Sequence, residues 1–111
     1  WEPAADRGIS RRADGPSSRG ASGAAYDSKR ARTIIFGGVT ADGFTGETWS
    51  WNGQVWTKLA DTGPEPRAMG YLAYDEARDR VVLFGGRKGY PDGDLDDTWE
   101  FDGAAWHRVG G

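Results

Sequence analysis

The chain has 111 residues, with 14 basic and 17 acidic side chains and a net charge of −3 at pH 7. This balance argues against non-specific nucleic-acid binding, which needs a basic footprint. The sequence contains no cysteine, which excludes disulfides and thiolate metal sites, and no apolar run of membrane-spanning length. We therefore expect neither a nucleic acid nor a membrane as a partner.

The first residues match a segment in the middle of the chain. Residues 1–8 and 56–63 share the pattern Trp-x-x-x-Ala-Asp-x-Gly. The match predicts that residues 1–16 are the end of a preceding repeat unit and its connection. A chain that closed a ring by itself would not need this extra strand, which favours a segment of a longer protein.

Residues 17–59 and 66–111 are two copies of one pattern. Short identical segments recur 48 residues apart in the first part of each copy and 50 residues apart in the second part. A fixed period of this size is the sequence signature of a repeat architecture. The matched segments are Ala25-Tyr26-Asp27 with Ala73-Tyr74-Asp75, Phe36-Gly37-Gly38 with Phe84-Gly85-Gly86, Thr48-Trp49 with Thr98-Trp99, and Trp56 with Trp106.

Each copy predicts four β-strands and essentially no helix, because no segment has a 3.6-residue apolar rhythm. The second strand of each copy is a continuous apolar run, which predicts burial on both faces. Asn52-Gly53 and Asp102-Gly103 predict two-residue hairpin turns between strands three and four. The predicted strands are residues 20–26, 33–36, 48–51 and 55–59 in the first copy, and 70–74, 81–84, 98–101 and 105–109 in the second.

This pattern resembles kelch repeats, in which a Gly-Gly doublet follows the second strand and a Trp lies in the fourth. In this chain the turn before that Trp is shorter than in the common kelch pattern, and in this respect the chain resembles a bacterial subtype of the repeat. The resemblance implies an all-β fold of kelch-type β-propeller blades, each a four-stranded antiparallel sheet. It implies that the glycines allow close backbone approach and that the tryptophans fill the contact between blades. These structural residues are Gly37, Gly38, Trp49, Trp56, Gly85, Gly86, Trp99 and Trp106.

Two blades cannot close a propeller, because a ring needs at least four. The other blades would come from the parent chain or from a homo-oligomer, and a trimer would supply six. The resemblance to secreted bacterial kelch proteins favours an extracellular location.

Differences in loop length between the two copies fall on one edge of the predicted sheets. Binding often uses such loops, so residues 39–46 and 87–96 are expected to form a ligand face with the connection before the first copy. Tyr90 would be an aromatic anchor there. The candidate residues are Arg11, Arg12, Asp42, Phe44, Arg87, Lys88, Tyr90, Asp92 and Asp94.

The expected function is a non-catalytic scaffold that binds a protein or glycan partner. One alternative is that the chain forms non-catalytic blades of a larger secreted enzyme, either oxidase-like or carbohydrate-active. A second is a self-assembling structural ring. A third is nucleic-acid binding through the locally basic residues Arg7, Arg11, Arg12 and Arg19.

No cofactor is expected, with calcium as an alternative. Asp92, Asp94 and Asp96 have the spacing of the first part of a calcium loop, but position twelve is Gly103 where an EF-hand has glutamate. No helices are expected to flank the loop.

The sequence contains no recognisable catalytic set. His107 is the only histidine, which excludes multi-histidine metal sites and most His-based triads. Asp96 and Asp97 are adjacent on a predicted strand, so their side chains should point to opposite faces.

Overall fold

The computed structural model describes residues 15–89 and 93–110, and within these ranges the chain is all-β and contains no helix. Each of the eight strands expected from the repeat overlaps a strand of the structure. The expected partial unit before residue 15, with Arg11 and Arg12, lies outside the described residues, as do Tyr90 and Asp92. The strands are β1 (Gly23–Asp27), β2 (Arg32–Phe36), β3 (Val39–Thr40), β4 (Gly43–Phe44), β5 (Thr48–Trp51), β6 (Trp56–Ala60), β7 (Tyr71–Asp75), β8 (Arg80–Arg87), β9 (Asp94–Phe101) and β10 (Trp106–Gly110).

The strands form two four-stranded antiparallel sheets and one short ribbon. Sheet I has the order β1-β2-β5-β6, and sheet II has the order β7-β8-β9-β10. Each sheet connects neighbouring strands in sequence, as expected for two copies of one unit. The ribbon of β3 and β4 lies within the connection between the second and third strands of sheet I.

The turns between the first and second strands are the same in both sheets. The Oδ1 atoms of Asp27 and Asp75 accept the backbone N–H groups of Arg30 and Arg78, three residues later. Such local side-chain acceptors are typical of tight turns. The 48-residue period therefore extends to the backbone conformation of these turns.

The loops between the third and fourth strands begin with Asn52-Gly53 and Asp102-Gly103, but they contain four residues rather than the predicted two. In each loop the Asn or Asp Oδ1 accepts backbone N–H groups two and three residues later, at 2.8 and 2.9 Å. The glycines have φ values of 100° and 103°. The two dipeptides therefore predicted the positions of the turns correctly, but the Asn52 and Asp102 side chains stabilise a loop of four residues.

Within the described residues of this single chain, the second strands are buried on the face that packs against the other sheet, whereas the apolar runs predict burial on both faces. Ile34 and Phe36 are buried, whereas Ile35 is half-buried between them. In β8, Leu83 is fully buried and Phe84 is 50% exposed. The burial alternates because each sheet contacts one neighbouring sheet.

The two sheets stack face to face around one apolar core. Trp106 of sheet II lies at the centre of this contact, with its ring centroid 5.3 Å from that of Phe36 and 5.0 Å from that of Phe101. Its indole N–H donates to the Thr48 hydroxyl of sheet I at 2.9 Å. The buried core residues are Ile34, Phe36, Leu72, Val81, Leu83, Phe101 and Trp106.

Candidate binding surface

The connections between the second and third strands meet the connections between sheets at one edge, here called the loop edge. Gly20 pairs with Val39 in an isolated antiparallel bridge, and Ala68 pairs with Arg87 in the same way. The other edge, called the turn edge, contains the turns at 28–31 and 76–79 and the loops at 52–55 and 102–105. Loop residues of both sheets are thus held by the segments that precede β1 and β7.

A buried ion pair anchors the loop edge in sheet II. Arg67 donates to the two carboxylate oxygens of Asp97 at 2.6 and 2.9 Å, and to the Gly85 carbonyl at 3.0 Å. The Arg67 side chain is fully buried. A two-pronged contact of this type fixes both side chains, and it leaves neither group available for chemistry.

The same arrangement occurs in sheet I with a longer acidic residue. Arg19 donates to Glu47 at 3.0 Å, and the Trp49 indole N–H donates to the same Glu47 oxygen. Trp99 donates to Asp97 in the matching place. The third-strand tryptophans therefore hold the acidic partners of the two arginines.

These hydrogen bonds favour the ionised carboxylates. Donation from Arg67 holds the pKa of Asp97 well below its usual range, and donation from Trp99 adds to this effect. Donation from Trp49, assisted by Arg19, lowers the pKa of Glu47. Hydrogen bonding to the charged form is the physical cause in both cases.

The Arg–acid arrangement was missed in the sequence, although a signal for it is present. Gly-Pro-x-x-Arg occurs at residues 15–19 and again at 63–67, 48 residues later. Each glycine packs against a fourth-strand tryptophan: a Cβ on Gly15 would lie 2.8 Å from Trp56, and one on Gly63 would lie 2.7 Å from Trp106. Gly15 therefore occupies the same position in sheet I as Gly63 does in sheet II.

The Gly-Gly doublets lie where backbones approach closely. Gly37 and Gly38 have φ values of 73° and 115°, and Gly85 and Gly86 have 72° and 110°. The Gly38 N–H donates to the Arg67 carbonyl at 2.8 Å, which joins sheet I to the segment before sheet II. Only glycine adopts such a conformation without strain, which gives the doublets a structural reason.

The two connections between second and third strands differ in form. In sheet II, β8 continues to Arg87 and β9 begins at Asp94, so residues 87 and 94–96 of the loop expected at 87–96 lie in strands. In sheet I the strands end earlier, and the ribbon turns at Asp42, whose backbone N–H is bound by the Thr40 hydroxyl. The loop edge therefore has a similar framework in both sheets, but the connections between the second and third strands differ in shape.

The structure brings some of the sequence-selected side chains together. Arg87 pairs with Asp94 at 2.9 Å, and Lys88 pairs with Glu65 at 3.3 Å. Asp42 is exposed at the ribbon turn. In the same ribbon, Phe44 is half-buried.

The described part of the calcium spacing forms no cluster. Asp94 and Asp96 are both exposed on β9, and Asp94 is paired with Arg87. Within residues 15–89 and 93–110, no group of three or more metal-ligating side chains is present.

The turn edge contains paired charges. Arg30 donates to both carboxylate oxygens of Asp79 at 2.8 Å, and the Tyr74 hydroxyl donates to the same carboxylate. This joins a turn of sheet I to a turn of sheet II. Burial raises the pKa of Tyr74 to about 12, with a further contribution from Asp79. The cleft beside these residues encloses about 10 Å³, which is room for about one water molecule.

His107 and Asp97 are each paired with another side chain of the structure. His107 is 59% exposed and contacts Asp102 of its own hairpin at 3.0 Å. Asp97 is buried against Arg67, whereas Asp96 is exposed, so the two carboxylates point to opposite faces as predicted.

Arg19 is the one described member of the basic group considered for nucleic-acid binding. Its side chain is 7% exposed and is paired with Glu47. A buried, paired guanidinium is not available to a phosphate.

Among the described residues, no helix has the length and apolar character needed to cross a membrane. No protein-family model matches the chain, and no curated protein matches it.

Proposed function

We propose that this chain supplies two blades of a kelch-type β-propeller and acts as a non-catalytic platform that binds a protein partner at its loop edge. Two sequential four-stranded sheets, stacked face to face with equivalent Gly-Gly doublets, support the propeller assignment. The loop edge is assigned to binding because it is the part of the described chain where the two copies differ most in form.

That difference is the observation on which the proposal depends. An Arg–acid pair, the turn between the first and second strands, and the four-residue loop between the third and fourth strands recur in both sheets. By contrast, sheet I has the β3–β4 ribbon where sheet II has extended strands. Loops carried on a rigid framework are where binding residues are usually found. A repeated scaffold with unlike loops is suited to recognition.

A protein partner fits the described side chains better than a glycan. The loop edge presents the exposed side chains of Asp42, Lys88 and Asp94, and Phe44 of the β3–β4 ribbon is half-buried. The strongly exposed tyrosines, Tyr26 and Tyr71, lie on strands of the sheets instead. Charged side chains of this kind suit the polar, solvent-accessible rim of a protein–protein interface.

The proposal can be tested with a phage-displayed library of random 12-residue peptides selected on the full chain. Selected peptides should lose about tenfold in affinity for Lys88→Ala and for the double variant Asp42→Ala/Phe44→Ala. Lys29→Ala is the matched control, because Lys29 is an exposed lysine of the turn edge. Equal losses for Lys88→Ala and Lys29→Ala, or losses for Lys29→Ala alone, would contradict the assignment.

A further inference from the structure

The two sheets contact each other through opposite faces. Sheet I uses the face that contains Phe36 and Thr48, and sheet II uses the face that contains Leu83, Phe101 and Trp106. Leu83 corresponds in the repeat to Ile35, which lies on the other side of β2 from Phe36. The contact is therefore head-to-tail rather than symmetric.

The outer face of sheet I, which points away from sheet II, corresponds in the repeat to the face of sheet II that packs against sheet I. On this face, Tyr26 is 57% exposed, and Trp49 and Trp56 are half-buried. The corresponding face of sheet II forms the intramolecular contact. The matched residues are Tyr26 with Tyr74, Ile35 with Leu83, Trp49 with Trp99, Trp51 with Phe101, and Trp56 with Trp106.

The outer face of sheet II, which points away from sheet I, corresponds in the repeat to the face of sheet I that packs against sheet II. Phe84 corresponds to Phe36, yet Phe84 is 50% exposed where Phe36 is 2% exposed. A large exposed phenylalanine at a position that is buried in the other copy indicates an unfilled contact. The matched residues are Ala73 with Ala25, Val82 with Ile34, Phe84 with Phe36, and Thr98 with Thr48.

We propose that the outer face of sheet I in one copy of this chain docks on the outer face of sheet II in a second copy, and that the copies close a ring. The occupant is a second copy because each outer face matches one half of the contact already formed within the chain. Head-to-tail contacts of this type close into rings when the rotation permits. Three copies would give six blades.

A specific hydrogen bond follows from this docking. Within the chain, the Trp106 indole N–H donates to the Thr48 hydroxyl. The equivalent pair between copies is Trp56 with Thr98. Within residues 15–89 and 93–110, the Trp56 indole N–H has no hydrogen-bond acceptor.

Two substitutions make the contact between copies weaker than the contact within the chain. Gly23, where sheet II comes closest, corresponds to Tyr71, and a Cβ on Gly23 would lie 2.9 Å from the Gly70 carbonyl. A second copy must therefore shift to accommodate Tyr71. Asp79, which binds Arg30 across the sheets, corresponds to Ala31, so Arg78 gains no carboxylate from the second copy.

The test is the mass of the full chain by light scattering after size exclusion, over a range of concentrations. We expect a discrete species of two, three or four copies of the 12.0 kDa chain, corresponding to rings of four to eight blades. Thr98→Val should weaken association by about tenfold, because it removes the acceptor. Ala31→Asp should strengthen it by up to about fivefold, because it restores a carboxylate for Arg78.

A mixing experiment establishes the direction of the contact. Tyr26→Glu blocks the outer face of sheet I, and Phe84→Glu blocks the outer face of sheet II. Each variant alone should be monomeric, and a mixture should form a one-to-one dimer through the two unblocked faces. A chain that stays monomeric at all concentrations, open-ended polymers, or association of either variant with itself would overturn the proposal.

These faces are separate from the loop edge. A chain that forms rings but binds no peptide would contradict only the proposed function. A chain that binds peptides but stays monomeric would contradict only the ring.

Discussion

Trp106 and Thr48 join the two sheets by a buried hydrogen bond of 2.9 Å between residues 58 positions apart in the chain. The tryptophan ring also packs on Phe36 of sheet I. This hydrogen bond therefore lies inside the apolar part of the contact between the sheets. Because both partners are buried, the loss of either one leaves the other without its hydrogen bond.

A double-mutant cycle on this pair should give a coupling free energy of about 1 kcal/mol. Trp106→Phe retains most of the ring, and Thr48→Val retains the shape of the side chain. Each single variant should lower the free energy of unfolding in urea, and the double variant should lose less than the sum. Strictly additive losses would show that the hydrogen bond does not stabilise the sheet contact.

Arg67→Met should lower the free energy of unfolding by about 3–5 kcal/mol, because it leaves the Asp97 carboxylate buried without its partner. Arg19→Met is the matched control in sheet I. Its partner Glu47 is 30% exposed, so its loss should be smaller. Urea denaturation measures both, and an equal loss in the two variants would contradict the special position of Arg67.

Gly37→Ala should destabilise the chain more than Gly53→Ala. Both glycines have positive φ, so each substitution costs about 1–2 kcal/mol for the left-handed backbone. A Cβ on Gly37 would in addition overlap the Arg67 carbonyl oxygen, whereas a Cβ on Gly53 meets nothing within 4 Å. Thermal unfolding measures the difference, and equal melting temperatures would show that the close approach carries no cost.

Stability should fall as the pH decreases from about 5 to 2. Hydrogen bonds from Arg67 lower the pKa of Asp97, and hydrogen bonds from Arg30 and Tyr74 lower the pKa of Asp79. The unfolded chain, in which an aspartate has a pKa of about 3.9, then binds more protons than the folded chain, so acid favours unfolding. The melting temperature should fall over this range, and less steeply for Asp97→Asn. An unchanged melting temperature down to pH 2 would contradict these pKa directions.

Much of the fold could be predicted because the repeat preserved the residues that determine it. Apolar runs, Gly-Gly doublets and Asn-Gly or Asp-Gly dipeptides act locally, so each located its strand or turn. The extent of burial could not be predicted in this way. Ile35 and Phe84 lie in apolar runs, but their exposure depends on which face a neighbouring sheet covers.

The framework of the loop edge was harder to predict because its partners are distant in sequence. Arg67 and Asp97 are 30 positions apart, and nothing local indicates that either is buried. The sequence also did not indicate which non-glycine residues have a positive φ. Ala21 and Met69 have φ values of 59° and 60° at equivalent positions, although neither residue type favours that region.

The proposed binding edge is tested most directly by NMR mapping of a selected 12-residue peptide on the ¹⁵N-labelled full chain. We predict that the largest amide shifts occur at residues 39–46, 87–89 and 93–96. Shifts confined to the turns at 28–31 and 76–79, or to the outer faces of the sheets, would contradict the account.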